Sequence, residues 1–208
     1  MPNESTANSS SDFTADALAN WQWLVNCRHR DVAAVITASR SPELRFLTAG
    51  FETVRYLSPA EATLAMKPRA SCVAIPDATT TLGSLSNRSA RSLLIRIRDN
   101  LLEPGGLYVG IESFRTSPSS ASSLRRFSGL RSLQTRLLGS AGYSDIRAWY
   151  VAPSPTEPSH MIPCFADCVI QWDKIFGEHN RRAIVRRVAM RLGMHSAAFR
   201  FRLIIAKA

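Results

Sequence analysis

Two rhythms of apolar residues alternate along this chain. Short β-branched or otherwise apolar runs recur at Val32–Thr37, Thr53–Leu57, Ser71–Asp77, Leu107–Ile111, within Tyr143–Pro153 and at Phe199–Ala206. Runs of that length predict strands, and the near-continuous ones predict strands buried on both faces of a parallel sheet. Between them, apolar positions fall three and four residues apart, which predicts helices. Leu93, Leu94, Ile97, Leu101 and Leu102 line one side of a predicted helix over 88–102, opened by Ser86 or Asn87, with Arg91, Arg96, Arg98 and Asp99 on the other side. Ser58-Pro59-Ala60-Glu61 reads as a capping box opening a helix that runs to about Lys67-Pro68. Further helices are expected over 13–29, over 41–47 after Ser41-Pro42, over 124–140 up to Ala141-Gly142, and over 179–192. The stretches 77–86, 116–123 and 154–179 read as polar, Ser-rich or Pro-rich connections, the second of them mobile. Strands alternating with helices predict a doubly wound α/β domain.

The length of 208 residues suits one such domain, placed at 13–208 behind a Ser/Asn-rich lead over 1–12 that is expected to be disordered. No apolar run approaches the ~20 residues of a membrane helix. The lead lacks the basic-then-apolar order of a secretion signal, so the expected compartment is the cytoplasm. The four cysteines, Cys27, Cys72, Cys164 and Cys168, then read as free thiols. Cys164-x3-Cys168 does not have the spacing of a zinc pair. Net charge is +10, carried almost wholly by arginine, since the only lysines are Lys67, Lys174 and Lys207. Such a field attracts anionic partners.

Two passages go beyond fold class. Leu101-Leu102-Glu103-Pro104-Gly105-Gly106 followed by Leu107–Glu112 is a helix end, a break and an apolar strand. Ala141-Gly142-Tyr143 leads into a strand closing on Tyr150-x-x-Pro153. Together they resemble class I S-adenosylmethionine-dependent methyltransferases, over roughly 30–208. The resemblance implies a Rossmann-like, mostly parallel sheet with helices on both faces, completed by an antiparallel last strand. It also implies S-adenosylmethionine as cofactor at the carboxyl ends of the strands, around Thr37, Ser39, Asp77 and Thr79, with a small-molecule or glycan acceptor from a bacterial biosynthetic pathway. Three departures stand against this. Thr37-Ala38-Ser39-Arg40-Ser41-Pro42 lacks the family's glycines, no acid closes the second strand, and the chain before Asp77 is one strand–helix unit short. An inactive methyltransferase-fold binding or assembly partner is therefore the alternative. Asp77 itself reads either as a cofactor contact or as a turn cap, and Glu112 as a site residue or a solvated carboxylate.

The 179–192 segment places Arg181, Arg182, Arg186, Arg187 and Arg191 on one side, with Ile184, Val185, Val188 and Leu192 on the other. Either the arginines form a solvated face, or Arg182, Arg186, Arg187 and Arg191 meet an anionic protein, lipid surface or nucleic acid. Asp173 and Glu178 are candidate internal neutralisers.

Overall fold

The apolar runs do become strands, and they assemble into one seven-stranded sheet. The computed structural model describes residues 32–37, 51–65, 67–113, 133–153, 158–176, 184, 187–188, 199 and 201–208. The strands are β1 (Val32–Ile36), β2 (Thr53–Leu57), β3 (Ala70–Ile75), β4 (Leu102–Ser113), β5 (Ser144–Pro153), β6 (Pro158–Pro163) and β7 (Phe201–Lys207). Their order is β2-β1-β3-β4-β7-β5-β6. The first four pair in parallel, β7 lies antiparallel between β4 and β5, and β6 closes an antiparallel hairpin with β5. The expected final antiparallel strand is thus in place. The predicted helices over 13–29 and 41–47 and the loop 116–123 lie outside the described residues.

Alternation along the strands splits the core in two. Ala34, Ile36, Val73, Ile75, Tyr108 and Ile204 point to one face, where they meet Leu93, Leu94, Ile97, Leu137 and Leu138. Val35, Cys72, Ala74, Val109, Ile111, Leu203 and Ile205 point to the other, with Trp149 and Val151. β4 is fourth of seven, and Val109 and Tyr108 are fully buried. The Leu107–Ile111 run therefore holds the centre of the sheet, as its composition predicts.

Local signals were mostly honoured, with instructive exceptions. The Ser58–Glu61 capping box forms: Ser58 N and Oγ each donate to Glu61 Oε2 at 2.8 Å. The expected helix does not follow, because only one 3-10 turn (Glu61–Thr63) forms before Leu64 turns extended. Pro68 ahead of β3 limits any continuation. The polar stretch after β3, read as a loop, contains a short helix α1 (Ala78–Gly83), whose Ala78 and Leu82 are buried. Helix α2 (Asn87–Arg96) starts at the Ser86 cap and ends in a wide turn in which Leu102 N–H reaches Ile97 O. β4 then begins at Leu102. Leu102 pairs with Ala70 and Leu107 with Cys72, so Glu103–Gly106 bulge out against the single residue Ser71. Gly105, at φ +80°, makes that bulge possible. Helix α3 (Leu133–Ser140) closes on Gly142 at φ +86°, with Tyr143 N donating to Leu138 O and Gly142 N to Gly139 O. That pair of hydrogen bonds is the glycine-terminated helix end the Ala-Gly-Tyr passage predicted. The 154–179 stretch, read as irregular, instead yields β6 and helix α4 (Ala166–Phe176). Two prolines masked β6, which tolerates them because it is an edge strand.

Candidate functional site at the carboxyl edge of the sheet

From β1 the chain moves first to β2 on one side and later to β3 on the other. That reversal makes the carboxyl ends of β1 and β3 the switch point, where doubly wound sheets receive ligands. Val35 pairs with Ala74, so Thr37 comes level with the Pro76-Asp77 turn. Thr37 N extends the ladder by donating to Leu57 O at 3.0 Å. Asp77 is exposed, and its Oδ1 accepts Thr80 N at 3.0 Å, capping α1. Thr79 Oγ1 accepts Ser113 N at 2.8 Å and donates to Ser113 O at 3.3 Å, which ties α1 to the end of β4. Of the four sequence-predicted cofactor residues, Thr37, Asp77 and Thr79 thus share one edge, and Ser39 lies outside the described residues.

Glu112, one residue from the β4 end, is not a solvated carboxylate. It is buried, and its Oε2 accepts Arg202 Nε at 2.8 Å, with Nη2 at 2.6 Å. Register sets this up: Glu112, Arg202 and Tyr150 sit side by side across β4, β7 and β5. Tyr150 stacks on Phe199 with centroids 4.6 Å apart, and Trp172 of α4 packs against Phe199 at 5.1 Å. His160 meets Trp172 edge-on. Burial pushes the Cys164 thiol up to about 12 despite the opposing Arg202 charge, and burial also raises the Tyr150 hydroxyl. These groups are neutral at physiological pH and suited to packing rather than nucleophilic work. A second buried polar contact joins Gln134 Nε2 of α3 to Tyr108 Oη at 2.5 Å. Sequence reading missed both. The available signal was an arginine inside the apolar strand Phe201–Lys207, facing the glutamate of another strand.

In the basic segment, Arg187 is neutralised within the chain by Asp173, one of the two candidate carboxylates. Ile184, Arg187 and Val188 are helical. Arg187 turns inward, donating from Nε to Asp173 Oδ2 of α4 at 2.6 Å, and Asp173 is fully buried. Ile184 and Val188 are exposed. Arg182, Arg186 and Arg191 lie outside the described residues. Among the described residues, no three His, Cys, Asp or Glu side chains gather to hold a metal ion.

No family model matches the chain, and no curated protein does. Similar solved structures are S-adenosylmethionine-dependent methyltransferases. One from Thermotoga maritima is 10% identical, covering 94% of this chain and 90% of its own, at a TM-score of 0.47. One from Archaeoglobus fulgidus is 15% identical, covering 96% and 95%, at 0.47. One from Geobacter sulfurreducens, in complex with S-adenosyl-L-homocysteine, is 13% identical, covering 93% and 90%, at 0.43.

Proposed function

We propose that this chain is a divergent methyltransferase-fold protein whose carboxyl edge takes S-adenosylmethionine with a weakened grip. The observation that carries the reading is the strand order, which reverses between β1 and β3 and sets Thr37 beside the exposed Asp77. Asp77 spends one oxygen on its own helix. A carboxylate there suits the hydroxyls or cationic groups of the cofactor. The backbone cradle fits less well: every residue from Thr37 to Pro42 carries a Cβ where a glycine would let the backbone approach. The bound cofactor would supply an electrophilic methyl group. The protein's own part would be to orient donor and acceptor and exclude water, which needs no acid–base pair. The acceptor proposed is a small molecule or glycan.

The second reading is a binding or assembly module without methyl transfer. It is favoured by the internal commitments of the edge, where Thr79 is tied to Ser113 and Glu112 to Arg202. Calorimetric titration with S-adenosyl-L-homocysteine separates the two. The first reading expects a dissociation constant between about 0.1 and 1 mM, or −4 to −5.5 kcal/mol, further weakened by Asp77→Asn. Absence of saturable binding at millimolar ligand overturns it and leaves the second.

A further inference from the structure

Helix α1 cannot hold by itself. It has six residues, far fewer than a helix needs to persist in water, and Thr79, Thr80 and Thr81 are poor helix formers. Four contacts keep it in place. Ala78 and Leu82 join the core on the first face of the sheet. Asp77 Oδ1 accepts Thr80 N, and Asp77 O accepts Thr81 N, each at 3.0 Å. The half-buried Thr79 hydroxyl accepts Ser113 N at 2.8 Å and donates to Ser113 O at 3.3 Å. Ser113 follows Glu112, whose carboxylate accepts Arg202 of β7, so the end of β4 is itself fixed from its far side.

The consequence falls on Asp77. Its backbone belongs to the turn after β3, but the rotation of its carboxyl follows the Thr80 amide that Oδ1 accepts. Thr80 travels with α1, and Thr79 ties α1 to β4. The one proton of the Thr79 hydroxyl already goes to Ser113 O, so none remains to donate to a ligand. We propose that Thr79 is a positioning residue: without touching the cofactor, it holds α1 through Ser113 so that Asp77 presents its other oxygen at the switch point. This rests on the reading of the carboxyl edge as an S-adenosylmethionine site. The tie to Ser113 then belongs to the support that keeps a binding group in one orientation.

The test uses the full chain as wild type, Thr79→Val, Thr79→Ser, Asp77→Asn and the Thr79→Val, Asp77→Asn double variant. Valine keeps the shape and removes both bonds, serine keeps the hydroxyl, and asparagine caps a helix as well as aspartate does. Amide hydrogen exchange is followed without ligand, and S-adenosyl-L-homocysteine is titrated calorimetrically. Thr79→Val should lower protection of the Thr81 and Ser84 amides about tenfold and leave Val73, Val109 and the melting temperature near wild type. Its dissociation constant should rise at least about threefold, since fewer molecules hold Asp77 in place. Thr79→Ser should restore both. In the Asp77→Asn background the valine should change the dissociation constant no further, because both residues act through one group. Additive losses overturn the proposal, as Thr79 then meets the ligand itself. Unchanged α1 protection in Thr79→Val overturns it too, as does a loss spread equally through β3 and β4, which makes the bond merely structural. Thr79→Ala removes the same hydroxyl should the valine variant not fold. If wild type binds no S-adenosyl-L-homocysteine while exchange behaves as expected, the cofactor reading fails and the anchoring of Asp77 by Thr79 stands.

Discussion

The Glu112–Arg202 pair offers the sharpest test of the sheet. Both side chains are almost wholly removed from water, at 4% and 1% exposure, in adjacent central strands. Removing one partner strands the other as an uncompensated buried charge, which costs about 3–5 kcal/mol. Glu112→Leu should therefore forfeit that much, a large part of the roughly 5–15 kcal/mol that holds a domain folded. With a urea m-value of about 2 kcal/mol per M, the midpoint should fall by roughly 1.5–2.5 M. Adding Arg202→Met removes the orphaned charge and fills the same space with hydrocarbon. Replacing a whole buried pair this way is commonly neutral or better. The double variant should return to within about 1 kcal/mol of wild type, and the non-additivity measures the coupling. The assay is urea unfolding followed by circular dichroism, with m checked for constancy across variants. If the single variant loses less than about 1 kcal/mol, or the double variant is no better than the single one, the pair is not the desolvated contact its geometry describes.

Two further outcomes concern a helix end and a buried thiol. Gly142→Ala should cost at least about 1–2 kcal/mol by thermal melting, because an L residue resists φ +86° and the new Cβ meets the Arg98 guanidinium that donates to Ala141 O; an unchanged melting temperature would contradict the helix-end geometry. Above pH 9 the Cys164 thiol ionises in the unfolded chain while burial keeps it protonated in the folded one up to about pH 12, so stability should fall as pH rises through that window, by up to about 1.4 kcal/mol per unit from this group; Cys164→Ala should flatten that slope, and an identical slope would sink the assignment.

How much of this was legible follows from what each feature depends on. β2, the centrality of Leu107–Ile111, the Ser86 cap and the Gly142 helix end are local. Each is set by a few neighbouring side chains and backbone angles, and each was readable. The aborted helix after Ser58 shows the limit of a local signal, since the capping box formed with nothing behind it. β6 and α4 were hidden because prolines at 155, 158 and 163 read as breakers, although an edge strand with a free side admits them. Asp77 was readable as a polar strand end. Its use as a cap for α1, and the cross-tie from Thr79 to Ser113, required knowing that β4 ends beside β3.

The basic segment shows most clearly why pattern alone misleads. Its sequence reads as a cationic side and an aliphatic side, yet Arg187 lies three residues from Ile184, a neighbouring position on a helix. α4 presents the buried carboxylate of Asp173, and pairing it outweighs what exposing Ile184 and Val188 loses. Fully burying an aliphatic side chain contributes about 1.5–3 kcal/mol, and both of these residues are about half to two-thirds exposed, so each forfeits only part of that. An unpaired buried carboxylate costs several kcal/mol on its own. The Arg187–Asp173 pair is thus the larger contribution at this contact. It follows that replacing Arg182, Arg186, Arg187 and Arg191 together would not be a neutral removal of surface charge. Arg187 has to be left in place before any loss of anion binding in the other three can be read as a loss of contact with a partner.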